Sequence, residues 1–236
     1  EQGSIEKELL DCGAKFDSVT EDEMIEQTSQ ALADGKAVGW FQGRMEFGPR
    51  SLGGRSILGD PRSEQMQKTL NLKVKYRESF RPFAPSVLRE DVTDWFELDY
   101  DSQYMLLVDD VKQDKRIKMS KAEQDLFGID KLNIKRSDIP AVTHVDYSAR
   151  IQTVHREINP KYHALIAKFK EKTGCAVVVN TSFNVRGEPI VCSPEDAFRC
   201  FMGTELDLLV VGNCVLKKEQ QNKTLIEDYK EKYELD

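Results

Sequence analysis

Apolar positions along the chain follow two periods, one helical and one strand-like. In residues 20–33, Met24, Ile25, Ala31 and Leu32 fall on one helix face, Thr20 and Glu23 carry the spacing of a capping box, and Gly35 ends the run. Ala37 to Phe41 reads as a strand. A second helix is predicted from Ser63 to about Leu72, and the two prolines between Phe80 and Leu88 predict an irregular approach to a short strand. Tyr104 to Val108, Val142 to Val145 and Ile151 to Val154 read as strands. Asn159-Pro160 opens a helix carried by Tyr162, Leu165, Ile166 and Phe169, with Gly174 as its stop. Ala176 to Asn180 is β-branched enough for a buried strand, Ser193-Pro194-Glu195-Asp196 starts another helix, and Leu206 to Val211 closes as a strand.

These elements intermix without repeated βαβ units, which predicts an α/β fold: a single domain with a twisted mixed sheet. We place that domain at residues 20–216, with 1–19 as an N-terminal extension or linker. Residues 217–236 form a charged tail, either a peripheral helix or a frayed end. The mixed charges of residues 109–140 predict a solvated surface excursion; a mobile lid or docking loop is the alternative.

Composition narrows the function. With 39% hydrophobic and 32% charged residues over 236 positions, the chain is ordinary globular material. No apolar run approaches the roughly 18 residues of a membrane span, so no membrane role is expected. The acidic start without an initiator Met suggests a fragment. Five cysteines with no Cys-x-x-Cys pair argue for a reducing, cytoplasmic setting. A net charge of −7 disfavours nucleic acid as a partner, but local arginine clusters can still serve small phosphorylated ligands. A homodimer is left open.

Three clusters carry chemistry. Residues 42–59 bring Gly43, Gly48, Gly53, Gly54 and Gly59 close to Arg44, Arg50 and Arg55. The second cluster is Lys75-Tyr76-Arg77-Glu78-Ser79-Phe80-Arg81-Pro82-Phe83-Ala84-Pro85. The third, Asn180-Thr181-Ser182-Phe183-Asn184-Val185-Arg186-Gly187-Glu188-Pro189, directly follows the buried strand, where α/β proteins place ligands. Arginine forks, a lysine point charge and neutral Ser and Asn hydrogen bonds suit phosphate binding, where catalysis is mostly positioning and electrostatics. Each cluster has a plainer reading: a solvated turn, an arginine stem packed on an aromatic ring, or turn-forming Asn180 and Ser182. No nucleophile–base pair is evident. His144, His155 and His163 do not form a plausible metal set, and no metal ligands are predicted.

Taken in order, Gly-Trp-Phe-Gln-Gly-Arg-Met-Glu-Phe-Gly-Pro-Arg (39–50), Lys-x-Arg-Glu-x-Phe-Arg-Pro-Phe-Ala-Pro (75–85), Thr-His-Val-Asp (143–146) and Asn-Thr-Ser-Phe-Asn-Val-Arg-Gly-Glu-Pro-Ile-Val (180–191) resemble the C-terminal domain of the nodulation-factor and antibiotic O-carbamoyltransferases, over residues 20–216. The resemblance implies a YrdC-like fold, similar to the threonylcarbamoyl-adenylate synthases. There a Lys-x-Arg and a Ser-x-Asn motif line the nucleotide site, matched here by Lys75-Tyr76-Arg77 and Ser182-Phe183-Asn184. It implies that carbamoyl phosphate and ATP, with Mg²⁺, yield carbamoyl-adenylate. An actin/Hsp70-like N-terminal domain holding iron would then pass the carbamoyl group to an acceptor hydroxyl. The alternative is a module that binds ATP or carbamoyl phosphate but is inactive without that domain.

On this reading Lys75, Arg77 and Arg81 hold phosphates, and Arg50 and Arg55 hold carbamoyl phosphate or the leaving group. Ser182 and Asn184 bond the nucleotide or the carbamoyl amide, Arg150 is a further anion ligand, and Asn180 and Arg186 complete the binding set. His144 is the acid–base candidate, since histidine titrates near neutrality, and a structural hydrogen-bonder between apolar neighbours is its plainer reading. Two positions depart from the family pattern: Ser51 replaces the usual Ala, and Gly54 the usual Asn or His.

Overall fold

The computed structural model describes residues 2–132 and 134–226. In chain order the elements are α1 (Gln2–Asp11), β1 (Asp17–Ser18), α2 (Glu21–Ala33), β2 (Val38–Phe41), β3 (Arg55–Gly59), α3 (Met66–Thr69), β4 (Ala84–Leu88), α4 (Val92–Trp95), β5 (Leu107–Asp110), α5 (Lys121–Gln124), α6 (Gly128–Leu132), β6 (Ser148–Val154), α7 (Pro160–Thr173), β7 (Val177–Ser182), α8 (Pro194–Gly203), β8 (Leu208–Val211) and β9 (Cys214–Lys217). The strands form one nine-stranded sheet in the order β1-β9-β8-β2-β3-β7-β4-β6-β5. Only β2/β8 and β4/β6 are parallel, so the sheet is mixed, as the irregular alternation of elements predicts. Every residue of β2 and β3 is buried, which requires both faces of the sheet to be covered. Helix α2 packs on α7, and α1 on α8.

Local chemistry accounts for the helices that periodicity finds. Thr20 caps α2 through a complete capping box with Glu23, and Ser193 does the same for α8 with Asp196. Asn159 caps α7, which Gly174 ends in a left-handed conformation. Pro85 lies inside β4, but pairing to β6 begins only at Ser86, so the missing N–H precedes that ladder.

The structure corrects several boundaries. The strand expected at 104–108 begins only at Leu107, because Met105 turns the chain at φ 56°. Residues 142–145 are not a strand: Pro140–Val142 is a 3-10 turn, followed by a turn in which Tyr147 has φ 68°. The helix expected at 63–72 shrinks to α3, followed by a π turn over Leu70–Val74. Before the region expected as the domain, Gln2–Asp11 forms α1 and Asp17–Ser18 the edge strand β1 of the same sheet. The described residues of the charged run after Asp110 include a 3-10 turn at Gln113–Lys115, α5, α6 and bridges from Val111 to Phe96 and from Arg116 to Ser137. Of the tail, Lys218–Gln220 and Lys223–Leu225 are 3-10 turns, and residues 227–236 lie outside the described ones.

Candidate anion site

The loop between β2 and β3 is held from inside. The Glu46 carboxylate accepts the backbone N–H groups of Leu52 and Gly54, each at 2.7 Å, and the Trp40 indole donates to the Gly53 carbonyl at 2.9 Å. A Cβ at position 54 would stand 3.0 Å from the Glu46 Oε1, so glycine there lets the carboxylate close on the backbone. Arg55 is buried beneath this loop. Its guanidinium stacks on Phe41 at 3.4 Å and donates to the carbonyls of Gln42, Gly43 and Gly54 at 2.9–3.2 Å. Its terminal nitrogens are spent on the loop, while its Nε is buried without a partner.

The Lys-x-Arg and Ser-x-Asn segments meet at the end of β7. The buried Lys75 ammonium donates to the Ser182 carbonyl, to the Ser182 Oγ at 3.1 Å, and to the carbonyl and Oδ1 of Asn184 at 2.9 and 2.8 Å. Burial first, then the nearby Arg77, lowers its pKa to about 7. Tyr76 sits at φ 47°, and its hydroxyl donates to the Gly203 carbonyl at 2.9 Å. Arg77 is fixed by Asn71, whose Oδ1 accepts from Nε at 2.7 Å, and it lies over the Phe83 ring at 5.1 Å. Burial and then Arg81 bring the Arg77 pKa down to about 10. Asn71 is fully buried, and its amide also donates to the carbonyls of Ser79 and Arg81.

Beside this junction lies a cleft of about 150 Å³. Arg50, Arg77 and Arg150 line it with Ser51, Asn180, Thr181 and Ser182 and with the apolar Pro49, Pro82, Phe83, Ala84 and Met105, and no carboxylate is among the lining residues. The Nε atoms of Arg50 and Arg150 are buried without a partner. Burial and then the charge of Arg50 lower the Arg150 pKa. Uncompensated guanidiniums in one small cleft are unfavourable until an anion joins them. The floor is the Asn180 amide, which donates to the Ser51 carbonyl at 3.0 Å and to the Gln152 Oε1 at 2.9 Å.

Of the residues predicted from sequence, the structure gathers Arg50, Arg77, Arg150, Asn180 and Ser182 at this cleft, with Lys75 and Asn184 packed behind Ser182. Arg55 lies under the loop. Arg81 pairs with Glu78 at 2.8 Å on the surface, and Arg186 reaches the same carboxylate at 3.8 Å. His144 begins the turn that Tyr147 closes, and burial lowers its pKa; it is not among the residues lining the cleft. Sequence reasoning missed Asn71, Gln152 and Met105. A polar residue inside an apolar helix run was a readable signal for Asn71; the other two have none in the sequence.

The family model described as Carbamoyltransferase C-terminus matches residues 29–218. The chain belongs to that family. Relatives include "Uncharacterized protein sll1178" of Synechocystis (58% identical, covering 94% of this chain and 36% of that protein) and the nodulation protein NolNO of Sinorhizobium fredii (43%, covering 91% and 29%). The 3'-hydroxymethylcephem-O-carbamoyltransferase of Streptomyces clavuligerus is 37% identical, covering 78% and 31%. This carbamoyltransferase domain thus spans about a third of the length of these relatives. A solved structure of full-length HypF in the phosphate- and nucleotide-bound form overlays with a TM-score of 0.48 at 18% identity, covering 79% of this chain and 20% of that one, too loose a likeness to build on.

Among the described residues, no three His, Cys, Asp or Glu side chains gather to hold a metal ion, and no helix is long and apolar enough to cross a membrane.

Proposed function

We propose that this domain activates the carbamoyl group of carbamoyl phosphate as carbamoyl-adenylate, at a YrdC-like site, for later transfer to an acceptor hydroxyl by another domain. The observation that carries the reading is the carboxylate-free cleft, where Arg50, Arg77 and Arg150 converge and two of the three have unpaired Nε atoms. Hydrolysis of carbamoyl phosphate releases phosphate and leaves carbamate. A carbamate oxygen then attacks the α-phosphorus of ATP, and pyrophosphate departs. The arginines hold phosphate oxygens and offset the charge that builds on them in the transition state. Ser182 stands at the cleft edge, held by Lys75 and by its own hydrogen bond to the Asn184 Oδ1 at 2.6 Å. With no carboxylate lining the cleft, Mg²⁺ would arrive on the nucleotide phosphates instead of on protein ligands.

The cleft volume favours a second reading. About 150 Å³ suits carbamoyl phosphate but is small for a nucleoside triphosphate. On that reading the domain binds carbamoyl phosphate, and adenylation needs the further sequence found in longer relatives. Pyrophosphate release from ATP, Mg²⁺ and carbamoyl phosphate by the purified chain separates the two: turnover supports self-sufficient activation, and binding without turnover supports the binding module.

A further inference from the structure

We propose that Asn180 is a specificity determinant that reads an N–H group on the ligand, so that the arginine cleft selects a carbamoyl phosphate over other acyl phosphates. The proposal rests on reading the cleft as a carbamoyl phosphate site. Asn180 is 1% exposed, and both hydrogens of its amide are committed, one to the Ser51 carbonyl and one to the Gln152 Oε1. Gln152 is itself fixed: its Oε1 also accepts from the Ser86 hydroxyl at 2.6 Å, and its Nε2 donates to the Leu52 carbonyl at 2.9 Å. Flipping either amide would set oxygen against oxygen and N–H against N–H. The network therefore locks Asn180 with its Oδ1 as an acceptor, and that oxygen is buried without a donor.

An unpaired buried acceptor is costly, and here it belongs to a residue lining a cleft otherwise rich in donors. A bare phosphate supplies acceptors for the arginines and nothing for Asn180. A protonated phosphate oxygen would pair with it, but three guanidiniums favour the deprotonated anion. Carbamoyl phosphate carries phosphate oxygens at one end and an NH₂ donor at the other. Acetyl phosphate puts a methyl group in that place and leaves the Oδ1 unpaired. In this structure the Asn180 oxygen is covered, so a ligand NH₂ reaches it only as the side chains of the cleft adjust.

The test is calorimetric titration of the purified chain with carbamoyl phosphate, acetyl phosphate and inorganic phosphate. The parent should bind carbamoyl phosphate at least about tenfold more tightly than acetyl phosphate. Asn180→Ala should shrink that ratio to below about threefold, mainly by weakening carbamoyl phosphate. Gln152→Ala, which releases the Asn180 amide without removing it, should also lower the ratio and carries the test if Asn180→Ala does not fold. Equal affinities in the parent, or variants that weaken both acyl phosphates by one factor, would reduce Asn180 to a structural amide and overturn the proposal. Failure to bind any of the three would instead sink the anion-site reading, and this inference with it.

Discussion

Lys75 lies under the turn that begins at Ser182, donating to its hydroxyl at 3.1 Å and to its carbonyl. The two motifs, 107 residues apart in sequence, are thereby one structural unit. The ammonium touches four oxygens, which favour its charged form, while burial opposes it and brings the pKa to about 7. Its first role in this geometry is to hold the 182–184 turn in place.

Lys75→Met therefore tests position and charge together. Removing the ammonium leaves buried oxygens unpaired, and we expect a loss of about 2–4 kcal/mol in urea unfolding at pH 7. The pH dependence has a definite sign. The folded-state pKa lies below the unfolded value of about 10.4, so between pH 7 and 10 the unfolded chain binds more protons and stability rises with pH. Below pH 7 both states are protonated, and the slope from this group vanishes. Lys218, lowered to about 8, contributes in the same window, so the informative quantity is the difference between parent and variant curves. The parent should show the steeper rise; equal slopes would place the Lys75 pKa near its ordinary value.

Arg50 and Arg150 should trade stability for binding. With no carboxylate between them, deleting either relieves repulsion in the empty cleft. Arg50→Ala and Arg150→Ala should each leave the ligand-free domain as stable as the parent or more so, by up to about 1 kcal/mol. Each should also weaken pyrophosphate or carbamoyl phosphate binding about tenfold or more. Thermal melts with and without pyrophosphate read both effects. A variant that loses stability while keeping its affinity would mark that arginine as structural.

The loop has an obligate glycine at Gly53. It adopts φ 103°, and a Cβ there would stand 2.3 Å from the Tyr162 ring, a side chain fully buried in the core. Gly53→Ala should cost about 2–4 kcal/mol, measured by denaturant unfolding, because neither the ring nor the backbone has room to yield. A cost below about 1 kcal/mol would mean that the loop is not packed as described.

Much of this was legible in the chain. Helices α2, α7 and α8 carry their own stop and start chemistry in Thr20, Asn159, Ser193, Gly35 and Gly174, and those signals act locally. Strands β1, β3 and β9 were missed because they are short or follow a glycine-rich loop. For β1 and β3 part of the pairing comes from far along the chain, as when Asp17 meets Val215 and Ser56 meets Ser182. Met105 and Tyr76 hold positive φ through tertiary contacts that leave no mark in composition. At the site, residue type identified anion-binding arginines but not their direction. Arg50 and Arg55 look alike in sequence, yet one faces the cleft and the other is locked under the loop by Phe41 and three carbonyls.

The measurement that bears most directly on the proposed function is pyrophosphate release and carbamoyl-adenylate formation by the purified chain with ATP, Mg²⁺ and carbamoyl phosphate, with Arg150→Ala as the control. The account predicts pyrophosphate only when carbamoyl phosphate is present, and a loss of at least about a hundredfold in Arg150→Ala. No pyrophosphate release by the parent, or full activity in Arg150→Ala, would contradict it.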